Sequence, residues 1–313
     1  MGIVKSKHLL EIGDFTPSEI MSILDLARSF KEVNDRAIKK LPTLRGRTIV
    51  NMFLEPSTRT RTSFEIAAKR LSADAVNMSG STSSTTKGES LVDTAKTLSA
   101  MNCDIVVVRH RYAGAPRILA DNMSAHIING GDGKHQHPTQ TLLDLFTMRE
   151  HFGHLDGLNV AIVGDIAHSR VFGSLAPALK ALGANPIAVA PPTLLPARPD
   201  VLGAEVSWSL DEVIPEADVL YMLRIQQERL DDAPFPTLRE YANLFGLDAR
   251  RAAKMKDDAI VMHPGPMNRG VEVSSEIADD PRMLVLDQVN AGVAVRMAVM
   301  YALIGGEKDE LAV

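Results

Sequence analysis

The sequence has one cysteine, Cys103, so no disulfide can close within the chain. Cys103 opens an apolar run and is expected to be a small buried hydrophobe in a reducing, cytoplasmic setting. Basic residues are not in excess: 34 Lys and Arg stand against 39 Asp and Glu, a formal net charge of -5. Nucleic-acid binding rests on a basic face that neutralises phosphates, so neither DNA nor RNA is an expected partner. Any anion site must concentrate its positive charge locally. Long apolar runs are also missing. Met1 to Lys7 has no signal-peptide core, and Val289 to Ile304 contains Arg296 and falls short of a comfortable bilayer span. That late segment predicts a buried helix, and no membrane partner is expected. Met1-Gly2-Ile3-Val4-Lys5-Ser6 fits the loose myristoylation pattern, which is short enough to arise by chance. No Walker A sequence occurs, which argues against ATP. Gly164-Asp165-Ile166-Ala167 follows a strand but lacks the glycine spacing of a dinucleotide turn. His135 and His137 have no acidic or cysteine ligand at familiar metal spacing. The expected cofactor and metal complement is therefore none.

What is present is alternation. Thr48 to Leu54, Ala75 to Met78, Asp104 to Arg109 and Ala125 to Asn129 read as strands. Between them lie helical patterns, including one in which Phe64, Ala67, Ala68 and Leu71 share a face. A helix near Pro138 to His151 follows, with Leu142, Leu145, Phe146 and Arg149 at helical spacing. The alternation then restarts with Asn159 to Gly164, Ile187 to Ala190, Asp218 to Leu223 and Ala259 to Met262. Such alternation predicts an α/β protein of parallel sheets flanked by helices. At about 150 residues per domain the length suggests two domains, with the helix near 138–151 as a bridge.

Ligands of open parallel sheets sit beyond the carboxyl ends of the strands, so the polar segments there are the site candidates. Ser57-Thr58-Arg59-Thr60-Arg61 leaves a strand and opens a helix. Backbone N–H groups, hydroxyls and two guanidiniums gather where a helix dipole favours an anion. The alternative is a Ser/Thr cap with two solvated arginines. However, Arg beside a helix N-terminus opposes the dipole and needs an anion or an acidic partner. The loop Ser79 to Glu89 presents Lys87 and reads as a lid or a linker. Arg109-His110-Arg111 ends the strongest strand, as a site cation or a solvated pair. Gly130 to Gln140 places His137 before Pro138 at a helix start, suited to donating a hydrogen bond to a substrate oxygen. His168-Ser169-Arg170, Arg224-Ile225-Gln226 and the stiff turn His263-Pro264-Gly265-Pro266 follow later strands.

Together these motifs resemble the aspartate/ornithine carbamoyltransferase family over nearly the whole chain, from about Leu9 to the C-terminal helix. Pro56 to Arg61, Arg109-His110 and His137-Pro138-Thr139-Gln140 resemble its carbamoyl phosphate elements. Lys87-Gly88-Glu89, His168-Ser169-Arg170 and Arg224-Ile225-Gln226 with Glu228-Arg229 are similar to the aspartate-specific branch. Ornithine enzymes typically carry a cysteine in the turn occupied here by His263 to Pro266. The resemblance implies a carbamoyl phosphate domain, 1–140, and an aspartate domain, 141–288, with the C-terminal helix, 289–313, returning to the first. It implies that Ser57, Thr58, Arg59, Thr60 and Arg109 hold the phosphate. Thr60, Arg109 and His137 would polarise the carbamoyl oxygen, and Gln140 with the backbone of Gly265 and Pro266 would hold the carbamoyl amine. Arg170 and Arg224, supported by Gln226, would receive the aspartate carboxylates. Ser83 and Lys87 would reach a neighbouring subunit's site within a homotrimer. Relatives occur as plain trimers, with zinc-bearing regulatory chains, or with dihydroorotase-like partners. The implied activity makes N-carbamoyl-L-aspartate in pyrimidine biosynthesis. A carbamoyltransferase for another amino acid and a non-catalytic scaffold subunit are the alternatives. The family pattern is not matched everywhere: some relatives have Leu in the Gly265 turn and a second lysine where Thr86 stands.

Overall fold

The computed structural model describes residues 3–33, 36–79, 89–198, 203–225 and 237–304. In chain order the helices and strands are α1 (Pro17–Val33), β1 (Thr48–Phe53), α2 (Thr58–Arg70), β2 (Asp74–Ser79), α3 (Leu91–Ala100), β3 (Ile105–His110), α4 (Ala115–Asn122), β4 (His126–Asp132) and α5 (Pro138–Phe152). They continue with β5 (Asn159–Val163), α6 (Arg170–Ala181), β6 (Asn185–Val189), β7 (Glu205–Ser207), α7 (Leu210–Val213), β8 (Val219–Met222), α8 (Leu238–Phe245), α9 (Ala249–Ala252), β9 (Ile260–Met262) and α10 (Val285–Ile304). The chain divides into two compact units. One comprises 1–146 with 290–313, and the other 147–289, so the chain passes between units within α5 and again near the start of α10.

The first unit holds a four-stranded parallel sheet in the order β2-β1-β3-β4. Its central strands are buried on both faces, as helical crossovers on a parallel sheet require. Ile105, Val106, Val107 and Val108 of β3 are completely buried, and each such side chain contributes about 1.5–3 kcal/mol. On α2, Phe64, Ala67, Ala68 and Leu71 all have zero exposure, as their shared face predicts. The edge of β4 is closed by the N-terminal segment: Leu9 N donates to Ile127 O, and Asn129 N donates to Leu9 O. This pairing satisfies groups that would otherwise be exposed. β2 forms the other edge, and Val76 and Asn77 on it are exposed. α5 is buried on every side from Thr139 to Arg149, the mark of a helix threaded through a core. From 290 onwards α10 packs with this unit. Arg296 donates to Ser63 Oγ at 2.8 Å, and Tyr301 meets Phe30 edge-on at 5.9 Å.

The second unit holds a five-stranded parallel sheet in the order β7-β6-β5-β8-β9. β5 and β8 are its apolar centre. β7, only three residues long, pairs with β6. So short and polar a segment, Glu205-Val206-Ser207, carries no period that sequence reading can register. Cys103 is buried, as expected, and burial pushes its thiol pKa up, so it is not a thiolate at neutral pH. No helix among the described residues is long and apolar enough to cross a membrane.

Candidate active site

In the first unit the candidates come from three adjacent strands, β1, β3 and β4. The parallel ladder pairs Phe53 with Arg109, and Leu54 N donates to Arg109 O at 2.9 Å. The chain leaving β1 is thereby held beside the end of β3. Ser57 then caps α2 in an extended conformation, yet its hydroxyl makes no capping hydrogen bond. Arg61 N reaches back to Ser57 O at 3.3 Å. An α-helix offers its first-turn amides no carbonyl of its own, so those at the start of α2 face out of the helix end. Thr58 and Arg59 are exposed, and Thr60 is buried. A helix terminus of this kind is suited to an anion, with a serine hydroxyl not used in capping and an arginine in its first turn.

Arg109 is not the solvated alternative. Its side chain is only 13% exposed, and Nε lies 3.6 Å from Glu55. Its Nη1 donates to Gly130 O on β4 at 3.4 Å. Arg111, by contrast, is exposed and stacks over Tyr112 at 4.6 Å. His110 points its Nδ1 at Tyr112 N, and burial lowers its pKa. Of the two arginines, only Arg109 is built into the sheet end.

His137 is buried at the mouth of α5, and its carbonyl accepts from Gln140 N and Thr141 N at 3.0 and 3.2 Å. Pro138 needs no partner for a missing N–H and presets the first helical φ. The turn before it is shaped by Asp132. That carboxylate accepts from Asn129 Nδ2, Gln136 N and Gly114 N at 2.8, 3.1 and 2.8 Å, and His135 Nδ1 lies at 3.2 Å. His135 is thereby tied to Asp132 and does not join His137. Among the described residues no group of three His, Cys, Asp or Glu is placed to hold a metal. Gln140 is buried one turn along α5, where its Nε2 donates to Asp144 Oδ1 at 3.0 Å.

In the second unit Arg170, Arg224 and the Gly265-Pro266 turn follow β5, β8 and β9, which are neighbours in the sheet. Arg170 is buried at the start of α6, whose N-cap Ser169 accepts from Phe172 N at 3.1 Å. Asp165 Oδ1 receives His168 N and Nδ1 at 3.2 and 2.8 Å, which fixes the turn between β5 and Arg170. Gly164 has φ +129°, and a Cβ there would lie 3.1 Å from both Leu223 Cβ and the Tyr241 hydroxyl. Only glycine permits that approach of the β5 and β8 ends, and with it the placement of Leu223-Arg224. Arg224 is half-buried. Gly265 has φ +62°, and the Gly265-Pro266 peptide is cis. Gly265 N donates to His263 Nδ1 at 2.8 Å.

Sequence reasoning missed the residue that joins these last two segments. Glu272 has no exposure. It accepts from Ile225 N at 2.8 Å, from Asn268 N at 2.7 Å and from Asn268 Nδ2 at 2.7 Å. His263 Nε2 lies 3.9 Å away. Burial raises the Glu272 pKa, opposed by the hydrogen bonds it accepts. One carboxylate thus ties the residue after Arg224 to the chain after Pro266. The available signal was an acid flanked by Val271 and Val273. Ser83, Lys87 and Gln226 lie outside the described residues, as do Met1 and Gly2 of the myristoylation pattern.

The aspartate/ornithine carbamoyltransferase carbamoyl phosphate-binding domain matches residues 7–150, and the aspartate/ornithine-binding domain of the same family matches residues 156–303. The chain is 58% identical over 300 residues to the aspartate carbamoyltransferase catalytic subunit of Thermobifida fusca, covering 96% of each. It is 56% identical to that of Acidothermus cellulolyticus, covering 98% of this chain and 95% of the relative. Among solved structures, an aspartate transcarbamoylase from Trypanosoma cruzi in complex with N-(phosphonacetyl)-L-aspartic acid superposes with TM-score 0.88 at 32% identity, covering 96% and 97%. The catalytic subunit of the M. jannaschii enzyme superposes with TM-score 0.84 at 37% identity, covering 97% and 100%.

Proposed function

This chain belongs to the aspartate/ornithine carbamoyltransferase family, and on that premise we propose that it transfers the carbamoyl group of carbamoyl phosphate to the amine of L-aspartate. The observation that carries this reading is the convergence of Ser57 to Thr60, Arg109 and His137 on the carboxyl ends of three adjacent strands. Relatives at 52–58% identity are aspartate carbamoyltransferase catalytic subunits, which favours aspartate over ornithine.

In this reading the α2 terminus and Arg109 hold the phosphate. The donors Thr60, Arg109 and His137 serve the carbamoyl oxygen, and Gln140 serves the carbamoyl amine, with the backbone of Gly265 and Pro266. Arg170 and Arg224, supported by Gln226, take the aspartate carboxylates. The neutral aspartate amine attacks the carbonyl carbon, and an N–C bond forms while negative charge collects on the oxygen. That charge returns to the carbonyl as the C–O bond to phosphate breaks. The departing phosphate takes the amine proton, so no general base is required. Each fixed donor on the developing oxyanion supplies on the order of 3 kcal/mol, and alignment of two bound substrates adds up to roughly 7–11 kcal/mol. Neither a covalent nucleophile nor a cofactor is required. We further propose a cytoplasmic homotrimer to which Ser83 and Lys87 contribute across subunits, with the product entering pyrimidine synthesis. Formation of N-carbamoyl-L-aspartate from the two substrates by the purified chain tests the reading.

A further inference from the structure

Gln140 lies on α5 with Asp144 one turn below it. Asp144 has no exposure, and its Oδ1 receives the Gln140 amide nitrogen at 3.0 Å. A primary amide has a donor end and an acceptor end of nearly identical shape, and only its partners decide which faces which way. Asp144 decides it here. Arg296, buried on α10, supplies a positive charge that interacts with Asp144. The guanidinium is itself held by Ser63 Oγ at 2.8 Å and stacks on the Phe64 ring at 5.0 Å. Gly292 makes room for it, since a Cβ there would collide with Arg296. The Asp144 carboxylate oxygen accepts from Gln140 Nε2, so the amide nitrogen faces Asp144 and the amide oxygen is turned the other way.

We infer that Asp144 is a positioning residue, which fixes the Gln140 side chain so that its carbonyl oxygen, not its amide nitrogen, meets the substrate. This rests on the proposed role of Gln140. The carbamoyl amine is a donor and needs an acceptor, so a reversed amide would present N–H to N–H. Asp144 would then act as a selectivity device for the amine of carbamoyl phosphate, without touching the substrate.

The test compares two acyl phosphates. Acetyl phosphate carries a methyl group where carbamoyl phosphate carries its amine, and it can gain nothing from a correctly turned Gln140. Asp144→Asn should raise the KM for carbamoyl phosphate about tenfold, the loss of one well-made hydrogen bond. The inhibition constant of acetyl phosphate should stay within about twofold, because only the amine contact depends on the amide's orientation. In a Gln140→Ala background, Asp144→Asn should change the KM by less than about twofold, since its effect runs through an absent side chain. Asp144→Ser serves the same purpose should the asparagine variant not fold. Parallel weakening of both acyl phosphates would mark a merely structural role and overturn the inference, as would an unchanged KM. If Gln140→Ala itself left the KM unchanged, the reading of the site would fail and this inference with it. If only the Asp144 variants left it unchanged, the site reading would stand alone.

Discussion

Glu272→Gln is the substitution whose consequence the structure fixes most sharply. The side chain keeps its length and shape, so no cavity opens. Glu272 Oε1 accepts from both Ile225 N and Asn268 Nδ2, and Oε2 accepts from Asn268 N. A glutamine keeps one acceptor oxygen and turns the other position into a donor. If the oxygen stays with Ile225, the new N–H group faces Asn268 N, and one part-buried amide loses its partner. Hydrogen bonds to a charged group contribute about 1.5–3 kcal/mol, and an orphaned buried donor costs about 1–3 kcal/mol. Removal of a buried charge offsets part of this, leaving a net loss of roughly 2–4 kcal/mol. At about 2–4 °C per kcal/mol in a unit of this size, Tm should fall by roughly 4–16 °C. The kinetic consequence should be selective. Ile225 follows Arg224, so the KM for aspartate should rise while that for carbamoyl phosphate stays near its original value. Calorimetry and steady-state kinetics with each substrate varied in turn read both effects. An unchanged Tm, or equal losses for the two substrates, would refute the view that Glu272 holds the Arg224 segment in place.

Two further substitutions test the first unit and the assembly. Arg59→Ala should abolish turnover by about three orders of magnitude, comparable to losing an oxyanion-stabilising group. It should leave Tm within about 2 °C, because Arg59 is exposed and alanine is the better helix former. Mixing and reassembling inactive Arg59→Ala and Lys87→Ala chains should restore activity if sites are shared between subunits, and verified mixed trimers without recovery would contradict the sharing.

The central strands of both sheets were legible because buried parallel strands are continuous apolar runs, and Ile105 to Val108 leave no competing interpretation. The strand-end site candidates were legible for the same reason: polar segments rich in Arg, Ser, Thr and Gly stand out against such runs. The acids that hold the site were not. Asp132 and Glu272 do their work through hydrogen bonds from Gly114 and Ile225, and Asp144 interacts electrostatically with Arg296; these partners are distant in sequence, and no local period or spacing announces such pairing. Asp144 sits between Leu143 and Leu145 in a helix buried on all sides. In retrospect an ionisable group at such a place needs a reason, since burying it unpaired is costly. The strand β7 escaped notice because tertiary pairing with β6, and not side-chain pattern, makes it a strand.

The most direct test of the whole account is a carbamoylation assay on the purified chain with carbamoyl phosphate and either L-aspartate or L-ornithine. The account predicts that carbamoyl aspartate and phosphate form in equal amounts, without added metal or cofactor, and that citrulline does not form. Citrulline as the main product, or no turnover from a folded and properly assembled protein, would contradict it.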